Sequence, residues 1–221
     1  MKSKQFIVIG LGKFGQSVAK TLYQLGYDVL AVDDDEAIVQ EISDQVTHAV
    51  QMDATDEYSL RTLGIRNFDV AVVSIGTNVQ SSIMVTLNLK EAGVKKVIAK
   101  GNNEMHAKLL RKIGADRVIL PEADMGVRVA HNLVSSNILD FIELSPDYSI
   151  VEISVPTQWI GKTIKDLDAR AKYGINIMAI KSDLDINISP VATDVIGDNN
   201  ILVVIGSIED LAKIESLMSN D

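Results

Sequence analysis

The chain has 221 residues, 47% of them apolar, a formal net charge of −9 and no cysteine. That is enough apolar chain for one domain of ordinary size and a smaller companion, which excludes wholesale disorder. The acidic balance leaves no basic stripe for nucleic acid, and the lack of cysteine excludes disulfides, thiolate metal sites and thiol nucleophiles.

The first element is the apolar run Phe6-Ile7-Val8-Ile9, read as a strand, followed at once by Gly10-Leu11-Gly12-Lys13-Phe14-Gly15. Glycines at that spacing permit a tight turn, close backbone approach to a pyrophosphate and close packing of the next helix. Val18, Leu22 and Leu25 then recur at helical spacing, and Gly26 precedes Tyr27-Asp28-Val29-Leu30-Ala31-Val32, which ends at Asp33. An acid about 20 residues beyond the glycines is where a carboxylate accepts from a ribose diol. Strand, glycine turn, helix, strand and acid together point to an adenine nucleotide. Asp33 would also suit a helix start, since residues 33–36 are all acidic.

A recurrent joint organises the first half: an apolar helix end, a glycine, then a β-rich run. It occurs at Leu25-Gly26, Leu63-Gly64, Ala92-Gly93 and Ile113-Gly114. Glycine just past a helix takes the left-handed cap conformation without a Cβ penalty. With 46–51 as a further strand, this predicts about six strands alternating with helices: an α/β, Rossmann-like, doubly wound parallel sheet ending near Leu120.

Residues 121–142 are predicted as one long helix whose apolar positions, including Met125, Val127, Val129, Leu133, Ile138 and Phe141, spread over an arc of roughly 200°. Such an arc wants cover on two sides, either from another subunit or from the second domain of the same chain. Beyond Pro146 the pattern changes to a small α+β module. Strands are expected at 150–155, 175–180, 186–189 and 201–205. Thr163 with Asp166 resembles a capping box for a short helix ending at Gly174, and Ser207 with Asp210 caps a last helix. The expected division is 1–134 and 135–221. Met52, Met84, Met105, Met125 and Met178 read as core filler.

Several of these features occur together in a known family: the glycine loop after Val8-Ile9, Asp53-Ala54-Thr55 after the third strand, Ile113-Gly114-Ala115-Asp116, and residues 170–177 in the small module. In this combination the chain resembles the RCK (KTN/TrkA-type) regulatory subunits of Ktr-type potassium uptake systems. The resemblance implies a homo-octameric ring of dimers, peripheral at the inner face of the cell membrane beneath a potassium-translocating subunit, with ATP and ADP competing for the glycine-rich site. It implies nucleotide contacts from Gly10, Gly12, Lys13, Phe14 and Gly15, a ribose acid at Asp33 flanked by Asp34 and Asp35, and adenine contacts at Asp53 and Ala54. Ile75, Gly76 and Thr77 would line the ribose–phosphate side. Lys100, Gly101, Asn102 and His106 would reach the phosphates, and Glu122 would stand near a γ-phosphate with Mg²⁺ or Ca²⁺. In the small module, Ile164, Arg170, Ala171, Asn176, Ile177 and Pro190 would bind cyclic di-AMP at a two-fold interface. Lys13 stands where many relatives carry arginine, and a lysine lacks the bidentate fork.

The glycine fingerprint suits NAD(H) as well as ATP, so a small NAD-dependent oxidoreductase is the alternative. The remaining ~75 residues are few for a substrate domain and contain no histidine or cysteine, and no acid–base pair stands out. A non-enzymatic, ligand-sensing subunit is therefore preferred. No apolar run nears the ~18 residues of a membrane span, and Met1-Lys2-Ser3-Lys4 leads into a strand rather than a signal peptide, so a cytoplasmic location is expected.

Overall fold

The computed structural model describes residues 4–134, 138–183 and 185–218, and divides into two compact units, Met1–Ala123 and Asp124–Asp221. In the first unit β1 (Gln5–Ile9), β2 (Asp28–Asp33), β3 (His48–Gln51), β4 (Val70–Val73), β5 (Lys96–Lys100) and β6 (Arg117–Ile119) form a parallel sheet in the order β3-β2-β1-β4-β5-β6. The expected doubly wound sheet is what forms.

Strand periodicity explains why apolar side chains are needed on both sides of it. Ile7 and Ile9 point into a core with Val32, Val73, Val97, Leu60, Val85, Leu89 and Leu110. Val8 points the other way, to Ala31 and Val72 with Ala19, Val39 and Ile42. On the second side lie α1 (Lys13–Gln24) and α2 (Glu36–Ile42); on the first lie α3 (Glu57–Thr62), α4 (Val79–Glu91) and α5 (Glu104–Lys112). All four glycine joints hold: Gly26, Gly64, Gly93 and Gly114 have φ of 83°, 66°, 84° and 102°. The order of the strands reverses between β1 and β4, the switch point where ligands enter sheets of this kind.

In the second unit, α6 (Pro121–Val134), which begins at the unit boundary, is shorter than expected. Residues 135–137 lie outside the described residues, and β7 (Ile138–Ser145) follows. The apolar residues of 138–142 fit helical and strand spacing alike, and pairing decides: Phe141 faces Val151 and Ile142 faces Ile150 of β8 (Tyr148–Ser154). An antiparallel sheet β10-β9-β11-β8-β7 results, with β9 at Asn176–Lys181, β10 at Ile186–Asn187 and β11 at Ile201–Ser207. Its core gathers Trp159, Leu167, Ile175, Ile196, Leu202, Val204 and Ile214.

Both predicted caps are present. Thr163 Oγ1 accepts from the Asp166 N–H at 3.1 Å, and Ser207 Oγ accepts from the Asp210 N–H at 3.1 Å to open α9 (Ile208–Met218). The short helix before Gly174 is, however, broken into α7 (Ile164–Leu167) and α8 (Ala169–Tyr173) by Asp168, which adopts φ 48°, ψ 50°. Of the five methionines expected in the core, Met52 packs against it, whereas Met84, Met105, Met125 and Met178 are 41%, 68%, 53% and 44% exposed.

Candidate nucleotide-binding site

The carboxyl ends of β1, β2, β4 and β5, the turns and first helical turn that follow them, and the segment just after β3 carry all the residues the sequence assigned to a nucleotide except His106, on α5, and Glu122. At the β1 end the three glycines are required for three different reasons. Gly10 turns the chain at φ +88°, and a Cβ there would stand 3.0 Å from the Ile75 nitrogen. At Gly15 a Cβ would stand 2.6 Å from Ser74 Oγ and closer still to the Gly10 carbonyl oxygen, so only a hydrogen lets α1 approach the sheet. Gly12 has nothing within 4 Å of a Cβ position: its open side is where a ligand can meet backbone. Gly12 is also the N-cap of α1, with no side-chain cap and no acid in the first turn, which leaves the positive helix end free for an anion. Lys13 is exposed on that first turn and Phe14 is half-buried beside it.

Asp33 ends β2 and holds this loop. Its Oδ2 accepts from the Leu11 N–H at 2.5 Å and its Oδ1 from the Asp35 N–H at 3.0 Å. A carboxylate offers about four acceptor positions, so two remain for a diol. Partial burial first, then the hydrogen bond and charge of Asp33, hold the Asp34 carboxyl above its ordinary value. Asp35 caps α2, accepting from Ala37 at 2.9 Å. Asp53 is exposed after β3 and accepts from both the Thr55 N–H (2.8 Å) and its hydroxyl (2.7 Å), with buried Ala54 between them. Asp35 and Asp53 therefore have local structural work besides any part in binding.

Across the switch point, Ile75-Gly76-Thr77 follow β4. Asn102 Nδ2 donates to the Gly76 carbonyl, joining this turn to the Lys100-Gly101-Asn102 turn after β5. Gly101 is boxed in, since a Cβ would lie 2.9 Å from Leu120 Cδ2. His106, on α5, is only 2% exposed. Its Nδ1 accepts from the Asn102 N–H at 3.3 Å, which puts the proton of the neutral ring on Nε2, a buried atom without a hydrogen-bond partner. Burial pushes the imidazole below its ordinary value.

The last residue, Glu122 at the start of α6, is ion-paired with Lys100 of β5, whose ammonium lies 5.9 Å from the centroid of the Phe14 ring. The hydrogen bond from Lys100 is the main cause that holds the Glu122 carboxyl below its ordinary value. Among the described residues no cluster of three or more His, Asp or Glu side chains could hold a metal. The residues here fit a divalent cation only as one carboxylate beside a ligand's own oxygens. Ser74, which no motif singled out, proves structural to the site: its hydroxyl donates to the Gly10 carbonyl at 3.0 Å. Its signal in the sequence is only its place, directly after the β4 apolar run.

The six residues assigned to a second ligand lie in the other unit. Arg170, Ala171 and Asn176 are exposed, and Ile164, Ile177 and Pro190 are half-buried. Ile164 and Ile177 pack against the core of that unit. The N–H groups of Ile164 and Lys165 donate to the carbonyls of Asp194 and Ala192 (both 3.0 Å), so α7 lies against the segment that follows Pro190, while α8 packs on β9.

A doubly wound sheet with a glycine loop, an acid at the end of its second strand and an uncapped helix start defines a Rossmann-type fold with a candidate nucleotide site. The particular family follows from comparison. Residues 6–121 match the TrkA-N domain and residues 149–219 the TrkA-C domain. The chain is 51% identical over 212 residues to the Ktr system potassium uptake protein C of Bacillus subtilis, covering 96% of each. It is 47% identical over 216 residues to the Ktr system potassium uptake protein A of the same organism, covering 98% of this chain and 97% of that one. It belongs to this TrkA-N/TrkA-C (RCK) family. Among solved structures, the GsuK channel bound to NAD superposes with a TM-score of 0.68 at 20% identity, over 98% of this chain and 40% of that one, which speaks for the fold. GsuK bound to ADP gives a TM-score of 0.52 at 26% identity over 60% of this chain and 34% of that one. Among the described residues no helix is long and apolar enough to cross a membrane.

Proposed function

We propose that this chain is a cytoplasmic, non-enzymatic regulatory subunit of a Ktr-type potassium uptake system, in which ATP or ADP in the 1–134 domain biases the shape of an assembly that contacts a membrane potassium-translocating subunit. The observation that carries this reading is the open Gly12 at an uncapped helix start beside Asp33, in a chain about half identical to two Ktr uptake proteins along nearly its whole length. The phosphates meet the first turn of α1, the diol takes the two remaining acceptor positions of Asp33, and Lys100 faces the phosphates. A divalent cation, Mg²⁺ or Ca²⁺, rides on the triphosphate with Glu122 as its protein carboxylate. The 135–221 domain senses cyclic di-AMP through Arg170 and Asn176 as polar contacts and Ile164, Ile177 and Pro190 as apolar walls. The assembly is a homo-octamer of dimers, supported by the exposure of Met125, Val127, Val129 and Leu133 along α6. Regulation of this kind requires only that the nucleotides bind two assembly shapes with different free energies.

NAD(H) is the second reading for the same pocket, favoured by the NAD-bound structural neighbour. The test is calorimetry with ATP, ADP and NAD⁺, alongside mass spectrometry of nucleotide released from the purified protein. The expected result is binding of ATP and ADP, with Asp33→Ala weakening both tenfold or more. Charge-assisted hydrogen bonds contribute about 1.5–3 kcal/mol each, so losing one suffices for that factor. Undiminished affinity in folded D33A overturns the site, and tight NAD⁺ binding with no ATP or ADP binding overturns the ligand class.

A further inference from the structure

Lys100 and Glu122 form an unequal pair. The lysine side chain is 13% exposed and the glutamate side chain 69% exposed. The ammonium stands 3.6 Å from where a Cβ on Gly76 would lie and 5.9 Å from the Phe14 ring centroid, so it sits between the turn after β4 and the first turn of α1. A cation this nearly buried is strongly unfavourable without an anion beside it. The anion supplied is not a buried partner on a neighbouring strand but an exposed carboxylate at the start of α6, whose burial costs little and whose release into water costs little. Phe14, whose ring lies 5.9 Å from the ammonium, is on the first turn of α1 two residues after the open Gly12, the turn that the reading above assigns to the phosphates.

We infer that Lys100 is a shared cation: Glu122 neutralises it in the nucleotide-free chain, the nucleotide phosphates take it over on binding, and Glu122 therefore acts as a built-in competitor that sets nucleotide affinity. This rests on the nucleotide reading and adds to it a role for Glu122 that needs no metal. The lysine suits the exchange because its ammonium is a point charge on a flexible four-carbon stem, with donors that need no fixed fork. The Phe14 ring face lies beside its path and favours a cation there. A diphosphate carries more negative charge than one carboxylate, so it displaces Glu122 when it arrives.

The experiment is ADP calorimetry in the presence of a chelator on the full chain, its Glu122→Gln and Lys100→Gln variants and the double variant, each checked for folding by thermal melting. E122Q is expected to bind ADP about fivefold more tightly, and K100Q about tenfold more weakly. In the K100Q background, E122Q is expected to change affinity less than about twofold, because the competition has no object. Lys100→Arg, which keeps the buried charge, is the variant to use should K100Q fail to fold; there the benefit of E122Q is expected to persist. Unchanged or weaker ADP binding in folded E122Q overturns the inference, as does a full fivefold gain in the K100Q background, which would mean general repulsion. A Glu122 that serves only a divalent cation gives the first of these results. Wild-type protein that binds no nucleotide removes the nucleotide reading itself, an outcome distinct from wild type binding ADP while E122Q does not improve.

Discussion

Replacing Gly15 by alanine separates what the glycine loop does for the fold from what it does for a ligand. The added methyl would lie 2.6 Å from Ser74 Oγ and closer still to the Gly10 carbonyl oxygen, and the latter is backbone, which cannot swing aside. Relief requires α1 to move off the sheet and the hydrogen bond from Ser74 to Gly10, 3.0 Å long, to break. Overpacking of this kind costs about 1–3 kcal/mol and a lost hydrogen bond about 1 more. For a unit of this size each kcal/mol lowers the melting temperature by about 4 °C, so G15A is expected to melt roughly 8–16 °C below wild type. Gly12→Ala is the control, because nothing lies within 4 Å of its Cβ position. Alanine is a poorer N-cap than glycine by less than about 1 kcal/mol, so G12A is expected to melt within about 4 °C of wild type. Its methyl stands on the open side, however, and nucleotide affinity is expected to fall at least tenfold. Calorimetric melting with and without saturating ADP reads both effects. A G15A protein melting within about 2 °C of wild type, or G12A as the less stable of the two, would refute the division of labour.

The other predictions concern a proton, a second ligand and assembly. His106 is held below its ordinary value of 6.5 by burial, so the unfolded chain takes up this proton at a higher pH than the folded one. Its contribution is thus fully present above pH 6.5 and is lost as pH falls through the folded value; His106→Gln should show a shallower loss of melting temperature between pH 7.5 and 5.5, and identical slopes would show that the ring does not titrate as described. Cyclic di-AMP should bind with one molecule per two chains, and Arg170→Ala should weaken it about tenfold while leaving ADP binding unchanged. Trp159, the sole tryptophan and fully buried against Tyr173, reports by fluorescence that this variant's second unit is folded; a stoichiometry of one per chain, or no heat, rejects that site. Light scattering should give an assembly of eight subunits, and a monomer at micromolar concentration would reject it.

How much of this could be read from the sequence depended on the range over which the cause acts. The glycine joints, the capping residues Thr163 and Ser207 and the apolar strands are local: each states its conformation within a few residues, and each was legible. The acid at Asp33 was legible by spacing, but its bonds to the Leu11 and Asp35 N–H groups were not, because they depend on where the glycine loop lies relative to the end of β2. Residues 138–142 were misread as helix because a short apolar run satisfies both periods until a partner strand, here β8, chooses one. The break at Asp168 carried no glycine to announce it. Four methionines expected inside are exposed, three on helices and Met178 on β9, because an apolar residue marks a possible face of its element and does not say what covers it.

The features least visible in the sequence are the ones on which the site turns. His106 and Glu122 both look like ordinary helix residues in their own segments. What distinguishes them is the turn after β5, which presents the Asn102 N–H to the imidazole and the Lys100 ammonium to the carboxylate. That turn is fixed by parallel pairing of β5 with β4 and β6, and by Gly101, whose missing Cβ leaves room for Leu120. A charged pair 22 residues apart, and a buried ring with one unpartnered nitrogen, follow from that register rather than from any motif. Such groups cost stability where they stand, and a fold that only had to be stable would gain by replacing them with apolar residues. Lys100, at the carboxyl end of β5 with its charge balanced by an exposed carboxylate, suits a site in which part of the stability is given up so that an arriving anion has a cation to take.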